Sequence, residues 1–146
     1  LKTLELHDVI SSPRQLGILC RALGSGHGCP ELEVMDTGGL GFYGEVCGAA
    51  LAPAFRPPHG LPRLKQLHLY AMDLRDLDQL VEALQHRPHA SQPMEVIKMD
   101  ECYILSASDF GRAMEEGRSL DGLRELKIDS VGVGAEEWPM QLVEAL

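Results

Sequence analysis

The sequence predicts an α/β solenoid of about five strand–turn–helix units over residues 1–146, one curved domain with a parallel sheet on its concave side and helices on its convex side. Three observations carry that expectation. A short apolar motif recurs at nearly even spacing. Each copy is followed by apolar residues at helical spacing. One pentapeptide occurs twice, two units apart.

The motif is apolar-x-x-apolar-x-apolar. It reads Leu1, Leu4, Leu6 in unit 1, then Leu32, Met35, Thr37 in unit 2 and Leu64, Leu67, Leu69 in unit 3. Unit 4 has Met94, Ile97, Met99, and unit 5 has Leu123, Leu126, Ile128. The starts lie 31, 32, 30 and 29 residues apart, and only Thr37 fits poorly. Alternation of this kind marks a strand with one buried face.

The helical stretches follow in the same order. They are Leu16, Leu19, Cys20, Ala22, Leu23; Val46, Cys47, Ala50, Leu51; and Leu77, Leu80, Val81, Ala83, Leu84. Phe110, Ala113, Met114 and then Leu142, Val143, Ala145, Leu146 complete the set. Spacings of three and four place these residues on one helix face. Leu-Val-Glu-Ala-Leu at Leu80–Leu84 returns at Leu142–Leu146, 62 residues later. Ser11–Ser12, and Ser108 or Asp109, are expected helix N-caps. Gly24–Gly28 reads as a flexible link between units 1 and 2, and Pro57–Gly60 and Arg87–Pro93 as connectors that break the preceding helices. A single unit of about thirty residues cannot bury its apolar face alone, whereas stacked units share a continuous core. Because helices are wider than the strand spacing, the stack must bend around its sheet.

Composition narrows the function classes. Apolar residues at 45% and charged residues at 24% suit a globular chain rather than a disordered one. A net charge of −9 opposes phosphate backbones and anionic membranes, and no basic run offsets it, so neither nucleic acid nor membrane is an expected partner. No apolar window is long enough to span a bilayer. Cys20, Cys29, Cys47 and Cys102 form no CxxC pair, which points to reduced thiols and a cytoplasmic, intracellular home. The chain starts and stops within patterned sequence, so it is expected to be a piece of a longer array with flanking repeats.

The run Leu64-x-x-Leu67-x-Leu69, then Leu77, Leu80 and Ala83-Leu84, resembles the ribonuclease-inhibitor-like class of leucine-rich repeats. That class also holds the Ran GTPase-activating proteins and the repeat region of the NOD-like receptors. The resemblance spans the whole chain and implies a leucine-rich-repeat solenoid used for protein–protein contact. By fold analogy it also raises a GTPase-activating repeat protein as an alternative. The Asn often found after the strand in this class is absent from Asp8-Val9, Ala71-Met72-Asp73 and Glu101-Cys102; Asp73 is expected to do that turn's hydrogen bonding in unit 3.

Two other signals compete. Gly39-Leu40-Gly41-Phe42-Tyr43-Gly44 is a formal GxGxxG after a strand, as a nucleotide-binding enzyme would have. The competing explanation is a strand-to-helix turn, since Gly132-Val133-Gly134 takes the same place in unit 5. The histidines at His27 and at His86 to His89 lack the further ligands a closed metal site needs. Trp138 reads as a packing residue rather than an interface anchor, and Glu115-Glu116 and Glu136-Glu137 as solvated helix charges. No catalytic residue, metal or cofactor is therefore expected, and the chain reads as a scaffold, sensor or regulatory module rather than an enzyme.

The expected binding surface is the concave face of the sheet, formed by residues between the strand leucines. The columns are Thr3, Val34, Gln66, Val96, Glu125; then Glu5, Asp36, His68, Lys98, Lys127; then His7, Gly38, Tyr70, Asp100, Asp129. The middle column runs from acidic to basic. Within these, His7, Asp36, Gln66, His68, Tyr70, Lys98, Asp100, Lys127 and Asp129 are the candidate partner contacts, with Tyr70 near the centre.

Overall fold

In the computed structural model the alternation resolves into five strands: β1 (Thr3–Glu5), β2 (Val34–Gly39), β3 (Gln66–Tyr70), β4 (Val96–Cys102) and β5 (Glu125–Ser130). Between the first four lie α1 (Pro13–Gly24), α2 (Gly48–Leu51) with a 3-10 turn at Ala52–Ala54, and α3 (Leu77–Gln85). The structure describes residues 1–6, 10, 12–25, 29–39, 47–88, 91–103 and 122–130. The helical stretches around Phe110 and Leu142, the Ser108 cap and Trp138 lie outside the described residues.

The strands form one parallel sheet in chain order, β1-β2-β3-β4-β5. The fold is therefore α/β, each strand hydrogen-bonded only to its neighbours in sequence. Leu4, Met35, Leu67, Ile97 and Leu126 align across it. All but half-buried Leu4 are buried, and Leu69 and Met99 join them. The helices cover that face, α2 packing between α1 and α3. Along β3 the intervening residues Gln66 and His68 are half-buried and Tyr70 is exposed, so the opposite face is uncovered.

Local sequence explains each helix. Pro13 opens α1, where its missing N–H costs nothing, and Ser12 Oγ accepts the Gln15 N–H at 3.3 Å. α2 is a single turn because Pro53 cannot donate to the carbonyl four residues back. Its first two N–H groups, of Gly48 and Ala49, donate to the Asp76 carboxylate of the next unit at 2.7 and 2.8 Å. A Cβ on Gly48 would lie 2.5 Å from that carboxylate, so only glycine allows this cap between units. α3 stops before Pro88, as the connector sequence requires.

Two features depart from a regular ladder. Pairing shifts between Asp36 and Gly39, so Gly39 rather than Gly38 stands beside Tyr70. The cause is Thr37, the poor fit in the motif. It is buried, and its hydroxyl accepts the Tyr70 N–H at 3.2 Å and reaches the His68 carbonyl at 3.4 Å. The expected Gly38 member of the third column is corrected accordingly: Gly38 turns aside with φ of 58° and donates its N–H to Asp36 Oδ1 at 2.9 Å. Ala71 and Glu101 take the same left-handed conformation after β3 and late in β4, at φ of 53° and 56°. The strand exit thus repeats in three successive units although its residues differ.

Asp73 does the hydrogen bonding expected of it. It is buried, its Oδ1 accepts the Arg75 N–H at 3.2 Å, and Arg75 Nε and Nη2 close on the carboxylate at 3.0 and 2.9 Å. At the corresponding turn Cys102 Sγ donates toward the Leu69 and Asp100 carbonyls, each at 3.6 Å. All four cysteines are free, and all but Cys29 are buried. Among the described residues, no helix is long and apolar enough to cross a membrane.

Candidate functional site

The uncovered face of the sheet is built by register alone. Thr3, Val34, Gln66, Val96 and Glu125 stand side by side across the strands. Glu5, Asp36, His68, Lys98 and Lys127 form the next column. Tyr70 neighbours Asp100, which neighbours Asp129. Of the candidate contacts, Asp36, Gln66, His68, Tyr70, Lys98, Asp100 and Lys127 therefore lie on one surface, roughly 20 Å across at the usual strand spacing. His7 and the side chain of Asp129 lie outside the described residues. So do residues 40–44 of the glycine-rich run, whose first member, Gly39, ends β2.

Charge on this face is arranged between strands. Lys127 Nζ meets Asp100 Oδ1 at 3.0 Å, and Lys98 Nζ stands 3.8 Å from Glu125 Oε1. His68 Nδ1 lies 3.7 Å from Asp36 Oδ2, while its Nε2 is shielded from solvent and makes no hydrogen bond. Such half-exposed pairs contribute about 0–1 kcal/mol each, but they fix where neighbouring side chains point. Tyr70 is 40% exposed, alone among the described aromatic residues in being a large exposed ring.

A second charge pattern lies just before the strands and was not anticipated from the sequence. Lys2, Glu33, Lys65, Glu95 and Arg124 occupy one row, joined by backbone bonds from Glu33 to Lys2, Lys65 to Glu33, Glu95 to Lys65 and Arg124 to Glu95. Their signs alternate across all five units. Lys65 and Glu33 approach to 3.9 Å, and Arg63 and Glu31, two positions earlier, pair at 2.8 Å. The signal was present in the sequence as the second residue of every motif.

Other titratable groups brace the stack rather than line the face. Arg87 is buried beneath the connectors, donating Nη2 to the Leu61 carbonyl at 2.8 Å and Nη1 to the Gln92 carbonyl at 3.0 Å. Burial pushes its guanidinium down to about 10. His86 Nδ1 lies 2.8 Å from the Glu82 carbonyl, which ties it to its own helix end. Among the described residues no group of three or more His, Cys, Asp or Glu side chains is placed to hold a metal ion.

Comparison with protein-family models, with curated proteins and with solved structures finds no match to the chain.

Proposed function

We propose that the chain is a leucine-rich-repeat recognition module of the ribonuclease-inhibitor-like class, binding a protein partner on the concave face of its sheet and performing no chemistry of its own. One observation carries this reading. Five parallel strands pair in chain order, and the offset between aligned residues follows the spacing of the motif, so each motif position recurs as a column. Unit 3 also extends the repeat signature as Leu64-x-x-Leu67-x-Leu69-x-x-Met72-x-Leu74, and Met72 and Leu74 are buried. Unit 4 places Cys102 at the ninth position, which the signature gives to Asn or Cys. Helices pack about 8–10 Å apart and strands about 4.8 Å, so a stack of such units bends toward its sheet. Four free thiols fit a reducing, cytoplasmic setting.

Such a face recognises by shape and by its central side chains, with few residues carrying most of the affinity. Replacing Tyr70, His68 and Lys98 together by alanine is expected to abolish capture of the partner that the wild-type chain retains in cross-linking and pull-down. Capture of the same partner at wild-type yield by the triple variant would discard this face.

A further inference from the structure

We draw no further inference here: the strongest candidate, the side-chain cluster in the connector between α3 and β4 where buried Arg87 Nε and Ser91 Oγ have no hydrogen-bond partner among the described residues, belongs to the Arg87 brace between Leu61 and Gln92 already described, and nothing in the structure shows what meets those two atoms.

Discussion

Cys20 lies fully buried on α1, and burial pushes its thiol from 9.0 up to about 12. Cys102, buried at the exit of β4, is pushed up to about 11 by the same desolvation. Both values stand above those of the unfolded chain, so each thiol contributes stability that is complete below about pH 9 and lost as pH rises toward the folded value. Between pH 9 and 11 the unfolded chain releases protons that the folded chain keeps. The slope is about 1.4 kcal/mol per pH unit for each thiol. Urea unfolding across this window should therefore show a steep loss of stability, and Cys20→Ala should reduce the slope by about one such increment whatever it does to absolute stability. An unchanged slope in Cys20→Ala would mean that the thiol ionises equally well in both states. Arg87 shifts the other way: burial disfavours its charge, while the Leu61 and Gln92 carbonyls accept two of its N–H bonds.

Strand pairing raises the question of what holds one unit beside the next. Apolar contact supplies most of the energy but little specificity, since Leu4, Met35, Leu67, Ile97 and Leu126 are nearly interchangeable in kind. The alternating row Lys2, Glu33, Lys65, Glu95, Arg124 supplies a sign at every boundary. Glu33→Lys places three cations in succession and should lower the free energy of unfolding by about 1 kcal/mol. Adding Lys65→Glu restores an opposite pair at the β2–β3 boundary and should recover part of that loss, read as a positive coupling in a double-mutant cycle. Additive effects would show that the row is decorative. The columns of the sheet were legible from sequence because register follows from motif spacing, and the alternation of buried and outward residues follows from register. The bulge at Thr37 was not, because it depends on a hydroxyl finding the Tyr70 N–H of another strand. Nor was the Asp76 cap on α2, since Asp76 stands at the start of its own helix and nothing local shows that it reaches back 28 and 27 residues. The ion pairs Lys127–Asp100, Lys98–Glu125 and His68–Asp36 needed side-chain positions, so the sequence alone showed only an acidic-to-basic gradient.

A sheet in which each strand touches only its neighbours in sequence does not place all its strands in equal positions. β3 is paired on both sides, and its apolar residues Leu67 and Leu69 are buried. Among the described residues β1, three residues long, pairs with β2 alone, and Leu1 beside it is 71% exposed. When stability is a sum of unit terms and nearest-neighbour interfaces, opening the outermost unit breaks one interface while opening the middle breaks two. Backbone hydrogen exchange reads this difference directly, because each amide reports the smallest opening that frees it. The Leu6 N–H, which donates to the Asp36 carbonyl at 2.9 Å, and the Gln66 N–H, which donates to the Glu33 carbonyl at 3.0 Å, are comparable bonds at different depths in the stack. After correction for intrinsic rates, Leu6 should exchange at least about tenfold faster than Gln66, equivalent to ~1.4 kcal/mol less to open. Mild denaturant should speed Gln66 more steeply than Leu6, because the larger opening exposes more surface. Identical protection and identical denaturant dependence at the two amides would show a single cooperative unit, and would count against the modular stack on which the recognition reading is built.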